Sequence, residues 1–172
     1  VTFIDQVALQ YGSGTAYGSG AMGGAIHLQL DRVNFESKPL SIDHTMKYGS
    51  YTSFYQGLNI KHTTDKTHLS GKLFYQQAAN NYTYSNAEGK SMTMSNAATE
   101  KYGFLVQGGY KLSSLEKIHF TYWGQNNYLE TPESEDTSID QIHRGVIKYE
   151  RAGDQTYLKA KVALLSNRLD FD

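Results

Sequence analysis

The sequence predicts an all-β protein, an antiparallel meander of the kind that forms a transmembrane β-barrel, and three observations predict it. Seven segments of about ten residues alternate apolar with polar side chains, as strands do when the two faces of a sheet differ. The connections between these segments alternate between short and long. Tyrosine is abundant, with 14 copies against seven phenylalanines, and its polar tip suits a strand that ends at a wet boundary.

The alternation places the strands at defined positions. We expect them to pair in sequence order, because antiparallel neighbours need only local connections. The predicted strands are 40–49, 53–62, 67–76, 101–112, 117–126, 141–150 and 156–166. One face should carry Phe54, Leu73, Phe104, Phe120, Ile147 and Val162, since a one-residue slip would move a whole strand to the other face.

The connections favour a membrane barrel over a soluble sandwich. Short ones at 63–67, 113–117 and 151–155 alternate with long ones at 77–100 and 126–140, while 49–53 is a short exception on the long-loop side. Short turns at one end and long loops at the other are the plan of an outer-membrane barrel. Strands of about ten residues also match tilted membrane strands (~9–11 residues) better than globular ones (~5–6). The lysines of the polar face fit either architecture.

The composition excludes several classes of function. Lys plus Arg number 16 and Asp plus Glu 17, which leaves no electrostatic footprint for nucleic acid. The absence of cysteine excludes disulfides, thiolate metal sites and cysteine nucleophiles. Six histidines are scattered without ligand spacing, and no Ser-His-Asp arrangement is evident. We therefore predict no metal site, no cofactor and no enzyme activity.

The segment from Tyr11 to Leu30 is rich in glycine and precedes the meander. Six of the 16 glycines lie in it, and glycine permits tight turns and close backbone approach. Residues 18–23 satisfy G-x-G-x-x-G, but a strand-like run follows where a dinucleotide fold needs a helix. The sequence given begins at Val1, inside an apolar, strand-like stretch, and we expect the chain to be a piece of a longer protein.

Residues 4–30 resemble the end of the plug domain of TonB-dependent outer-membrane receptors, where a Tyr-Gly-Ser-Gly-Ala-x-Gly-Gly turn leads into a final plug strand. The run from Tyr17 to Ile26 matches that pattern at nearly every position. The resemblance implies a plug segment at 1–30, a connector at 31–39 and the first seven strands of a barrel of about 22 strands at 40–172. The plug turn would comprise Tyr17, Gly18, Gly20, Gly23 and Gly24.

Within this family the chain most resembles the cobalamin and siderophore receptors, and the resemblance also implies a function. It is the energy-coupled uptake of a scarce, bulky organometallic ligand, a ferric siderophore or cobalamin, across the bacterial outer membrane. The implied partners are outer-membrane lipid and a TonB complex in the periplasm. The candidate ligand contacts are Tyr11, Ser13 and Thr15 in the plug and Asn80, Asn81, Tyr82 and Tyr84 in the long loop, with an aromatic girdle as the other role of the tyrosines.

The chain departs from the family pattern at two places. Ala8 replaces the second acid that follows the one kept as Asp5, and residues 10–12 replace Arg-Gly-Pro. In the family these charges help to lock the plug to the barrel wall.

Two other architectures stay open. One is a soluble or surface β-protein, such as a sandwich, lectin-like protein or adhesin, and the other is a small complete barrel that serves as a porin or structural protein. The acidic loop with Glu130, Glu133, Glu135 and Asp136 is expected to be solvated, with calcium binding as the alternative.

Overall fold

The computed structural model describes residues 3–4, 6–11, 24–30, 33–132, 134–153 and 155–172. These residues form strands and connections without a helix, so the all-β prediction is confirmed. Nor do they include a helix long and apolar enough to span a membrane. The chain divides into two compact units, Val1–Val33 and Asn34–Asp172.

The first unit contains an antiparallel strand pair. Strand β1 is Gln6–Tyr11 and strand β2 is Gly24–Gln29, with Gln6 opposite Gln29 and Tyr11 opposite Gly24. Of the predicted plug turn, only Gly24 is described, as the first residue of β2. Tyr17, Gly18, Gly20 and Gly23 lie outside the described residues, as do the candidate ligand contacts Ser13 and Thr15.

The second unit is built on one seven-stranded antiparallel sheet in the order β11-β10-β9-β8-β5-β4-β3. A small hairpin, β6 with β7, lies in the connection between β5 and β8. The strands are β3 Lys38–Gly49, β4 Ser53–Thr63, β5 Thr67–Ala78, β6 Thr83–Ser85, β7 Ser91–Thr93, β8 Thr99–Lys111, β9 Glu116–Glu130, β10 Thr137–Ala152 and β11 Tyr157–Phe171.

The seven predicted strands are all present and pair in sequence order, as predicted. Most run further than the alternation indicates. β10 begins at Thr137 and β11 continues to Phe171, because the two strands stay paired as far as Ser138 opposite Phe171, beyond the residues that alternate clearly. The sheet is open: its outer strands β3 and β11 do not pair with each other.

The register divides the sheet into two faces. Leu73 lies opposite Phe104, and Ile147 lies opposite both Phe120 and Val162. With Phe54, these residues share one side of the sheet, as predicted; we call it the apolar face. The opposite side, which includes Lys72, Gln107, Lys148 and Glu150, is the polar face.

Exposure on the two faces is the reverse of that in a soluble sheet. On the apolar face Leu73, Ile147 and Val162 are 54%, 55% and 72% exposed. On the polar face His68, Ser70 and Gln107 are only 3–4% exposed. A soluble antiparallel sheet packs its apolar side inward and turns its polar side to water. This contiguous exposed apolar surface therefore calls for an apolar environment or partner.

Aromatic rings cover glycines on neighbouring strands. Phe74 lies opposite Gly103, Phe104 opposite Gly124 and Phe120 opposite Gly108. A Cβ added at Gly124 would lie 2.7 Å from Cε1 of Phe104, so the ring fills the space that a side chain would need. This arrangement, known as aromatic rescue, supports strand positions that glycine would otherwise weaken.

Candidate functional site

The connections of the sheet are sorted between its two ends, as their lengths predict. Residues 50–52, 79–98 and 131–136 leave from one end, which we call the loop end. Residues 64–66, 112–115 and 153–156 leave from the opposite end, the turn end. Loops carried on a rigid sheet are common positions for binding residues, so the loop end is the candidate site.

Backbone strain is concentrated at the loop end. Among the described non-glycine residues, positive φ occurs at Tyr51 (59°), Thr52 (56°), Asn80 (51°) and Asn96 (50°), and all four lie in these loops. Asparagine tolerates this region, but a β-branched residue such as Thr52 rarely occupies it. The amide of Ser53 donates to the carbonyl of Ser50 at 3.1 Å and closes a two-residue turn of the kind that normally carries Asn-Gly.

Three tyrosines contact one another beside this turn. The ring centroids of Tyr51 and Tyr82 are 5.9 Å apart in an edge-on arrangement, and those of Tyr82 and Tyr84 are 6.3 Å apart. The carbonyl of Tyr51 accepts a hydrogen bond from the amide of Ala79 at 3.0 Å, which ties the turn to the long loop. This tyrosine cluster, Tyr51, Tyr82 and Tyr84, offers exposed aromatic surface with hydroxyl groups at its edges.

The long loop is ordered by its own hydrogen bonds. Asn86 accepts from the amides of Glu88 and Lys90 with its side-chain oxygen, and Gly89 takes a φ of 76°. This turn joins β6 to β7, the hairpin that carries Tyr84. The hydrogen bonds of this hairpin therefore help to hold Tyr84 in the tyrosine cluster.

A second set of contacts joins the long loop to the acidic loop. The side chain of Asn96 donates to the carbonyl of Ser134, and the amide of Ala98 donates to Glu130 Oε2 at 2.9 Å. A polar cavity of about 260 Å³ lies between them. In the described part of the chain no three carboxylate or imidazole groups are placed to hold a metal ion together, and Glu133 of the acidic loop lies outside that part.

The structure brings some of the predicted contact residues together and not others. Tyr82 and Tyr84 are in contact, whereas Asn80 turns its amide to the carbonyl of Ala97 at 2.8 Å and Asn81 is exposed beside them. Tyr11 lies in β1 of the other unit.

Sequence reasoning missed Tyr51 and Thr52. The connection 49–53 was predicted only as a short exception on the long-loop side, whereas the structure gives two of its residues positive φ angles although neither is glycine. A tyrosine at the tip of so short a hairpin was the one available signal.

The polar face carries a charged cluster near the turn end. The Glu150 carboxylate contacts Lys148 Nζ at 2.6 Å, Lys117 Nζ at 3.2 Å and His119 Nε2 at 3.5 Å. Tyr157 donates its hydroxyl to Glu150 Oε1 at 3.0 Å. The cluster joins β9, β10 and β11 through one nearly buried carboxylate, so its evident role is structural.

The segment before β3 packs against this cluster. The Phe35 ring lies 5.9 Å from the His119 ring, and Lys111 Nζ lies 5.0 Å from the Phe35 centroid. A cation over an aromatic face is attracted by the ring quadrupole. Phe35 therefore fixes residues 34–37 on the polar face.

Comparison with known proteins gives no further guide, since the chain matches no family model and no curated protein sequence.

Proposed function

We propose that this chain is the end of the plug and the first seven barrel strands of a TonB-dependent outer-membrane receptor, which takes up a ferric siderophore or cobalamin. The observation that carries the proposal is the reversed sheet, in which apolar side chains are exposed on one face and polar side chains of the central strands, such as His68, Ser70 and Gln107, are buried on the other. Such a sheet is stable where lipid covers the apolar side, and strands that alternate apolar-out with polar-in are the mark of outer-membrane barrels.

Tyrosines at both ends of the apolar face support a lipid environment. Tyr75, Tyr102 and Tyr128 lie on neighbouring strands toward the loop end, and Tyr110 and Tyr149 lie toward the turn end. Tyr102 and Tyr110 are eight residues apart on β8, or about 27 Å along a strand. An outer-membrane barrel has an apolar band about 25 Å tall between two aromatic girdles. At the roughly 35–45° tilt of barrel strands the two tyrosines are about 20 Å apart along the membrane normal, which places them near the two edges of that band.

The loop end is the proposed entry for the ligand. The tyrosine cluster provides flat apolar surface and hydroxyl donors, the combination that binding sites for small organic ligands use. In this proposal the ligand binds the loops on the outside of the cell, and a TonB complex in the periplasm remodels the plug to release it. The chemistry is transport, without covalent steps.

Cysteine labelling tests the membrane assignment, since these 172 residues contain no cysteine and the unaltered full-length protein gives the background of the remaining chain. Leu73→Cys lies on the apolar face and Asn81→Cys lies exposed in the long loop. In intact cells that express the full-length protein, a water-soluble maleimide should label Asn81→Cys and leave Leu73→Cys unlabelled until denaturation in SDS. Equal labelling of the two in intact cells, or recovery of the protein in the soluble fraction, would overturn the assignment.

Ligand binding is tested at the tyrosine cluster. Tyr82→Ala in the full-length receptor should weaken binding of the ferric siderophore or cobalamin about tenfold or more, because a buried aromatic contact contributes on the order of 1–3 kcal/mol. Tyr110→Ala, an exposed tyrosine at the turn end, is the matched control and should bind normally. Uptake by the unaltered receptor should vanish in cells without TonB; undiminished uptake there would contradict the proposal.

A further inference from the structure

A groove crosses the apolar face between β9, β10 and β11. It encloses about 470 Å³ and is lined by Phe120, Tyr122, Gly145, Ile147, Val162 and Leu164. Gly145 lies opposite Tyr122 on one side and Leu164 on the other, so its missing side chain forms the floor of the groove. The walls are aliphatic and aromatic, which suits a hydrocarbon occupant.

The groove is open because no neighbouring ring fills it. A Cβ added at Gly145 would lie 3.6 Å from Tyr122 Cδ2 and 3.8 Å from Leu164 Cβ, which is ordinary van der Waals contact. At Gly124, by contrast, the ring of Phe104 already occupies the equivalent space. Packing within the sheet therefore does not require a glycine at position 145.

Polar groups follow the groove toward the loop end. The next row on the apolar face is His143 with Ser166, and the row after it is Gln141 with Arg168. Arg168 is largely exposed, and its Nε pairs with Asp170 at 2.8 Å, which leaves the two terminal guanidinium nitrogens for another anion. Arg168 is four residues beyond Leu164, or about 14 Å along the strand. At the roughly 35–45° tilt of barrel strands this is a rise of about 10 Å, and the long arginine side chain can extend from there to the edge of an apolar band whose half-height is about 12 Å.

We propose that this groove binds one acyl chain of an anionic membrane lipid, with the lipid phosphate at Arg168. The inference rests on the proposed membrane location of the apolar face. An acyl chain matches the apolar walls, and the guanidinium complements a phosphate near the edge of the apolar band, where the lipid headgroups begin. The site would hold a lipid longer than the rest of the apolar face does, since that face offers no comparable cation above a groove among the described residues.

The test uses the full-length protein, reconstituted in vesicles of equal parts phosphatidylglycerol and phosphatidylcholine and then extracted in mild detergent. Native mass spectrometry counts the lipids retained. The unaltered protein should retain one phosphatidylglycerol in excess. Gly145→Leu, which fills the groove, should reduce that retention at least fivefold, and Gly145→Ala should reduce it partly. Arg168→Gln should retain a lipid but lose the preference for phosphatidylglycerol.

Gly71→Leu is the matched control. Gly71 lies on the same face in β5, and a Cβ there meets no atom within 4 Å, so the variant adds the same bulk outside the groove. It should retain lipid like the unaltered protein. If Gly145→Leu fails to fold, Gly145→Ala decides. Equal retention by the unaltered protein and both Gly145 variants would overturn the site while leaving membrane insertion intact. Failure of the unaltered protein to insert would overturn the proposed function and the site with it.

Discussion

Glu150 shows why single residues were harder to predict than strands. The sequence placed Lys117, Lys148 and Glu150 on the polar face, where each looked like a separate solvated charge. The register brings them together, because Lys117 lies opposite Glu150 and Lys148 is two residues away on the same strand. A carboxylate removed from water needs such partners. The pairing depends on which residues of two strands face each other, which one strand's periodicity does not specify.

We predict that Glu150→Gln lowers the free energy of unfolding of the full-length protein by about 1–3 kcal/mol, since it replaces hydrogen bonds between charged groups with weaker ones. Urea unfolding in detergent measures the change. High salt should narrow the difference, because part of the interaction is screened. Glu88→Gln, in the exposed turn between β6 and β7, is the control and should change stability little. Equal effects of the two substitutions would show that the cluster contributes no more than a surface charge.

A second prediction for single residues concerns the glycines of the sheet. A Cβ at Gly103 would lie 2.7 Å from the backbone carbonyl oxygen of Gly124, an atom that cannot move without disturbing the pairing of β8 with β9. Gly103→Ala should therefore destabilise the protein by about 1–3 kcal/mol through overpacking. Gly71→Ala, where the Cβ is unobstructed, should not. Urea unfolding in detergent compares the two variants. Equal shifts of their unfolding midpoints would contradict the prediction that, of the two glycines, only Gly103 is packed too tightly for a Cβ.

At the scale of elements, the strands were predictable and the loops were not. Each strand contains about ten alternating residues, and every one of them adds to the same signal, so all seven strands were predicted. The hairpin β6–β7 has only three residues in each strand and depends on the Asn86 side chain and on Gly89, so periodicity could not reveal it. The turn at Tyr51 and Thr52 was missed for a related reason: its backbone opposes the local preference of its residues. Such outliers persist where the surroundings impose them, often at functional sites.

Relief of that strain is testable. Thr52→Gly should stabilise the protein by roughly 0.5–1 kcal/mol, because the strain relieved at φ 56° exceeds the entropy that glycine adds to the unfolded chain. Ser50→Gly, two residues earlier in the same turn and without positive φ, should not stabilise it. Urea midpoints compare the three proteins. If the turn holds Tyr51 against Tyr82 for binding, Thr52→Gly should also weaken ligand binding; a gain in stability with unchanged affinity would separate the strain from the site.

For the molecule as a whole, the periodicity of the strands predicted which residues share each face of the sheet. Only one residue in two of each strand meets the apolar side, so average hydropathy conceals the exposed face. The position of the tyrosine cluster could be predicted only in part. The topology places the long loops at one end of the sheet, but the contact between Tyr51 and Tyr82 depends on the geometry of the turn. The sequence thus predicts the end of the sheet that carries the long loops better than it predicts which side chains meet there.

The open sheet gives the last prediction. Residues 34–172 have two outer strands, β3 and β11, whose outer edges are unpaired within the described chain, and both strands are exposed along nearly their whole length. Unpaired edges beside a contiguous apolar face promote association in water. We expect this segment, expressed alone, to aggregate in plain buffer and to disperse in detergent, as followed by analytical ultracentrifugation. Detergent should cover the apolar face but leave the backbone groups of the outer edges unpaired. In the dispersed protein, the amide hydrogens of β3 and β11 should therefore still exchange with solvent faster than those of the central strands β8 and β5. A monodisperse segment that melts cooperatively in plain buffer would mean that its apolar face is covered without lipid, and the soluble β-protein would then be the better description.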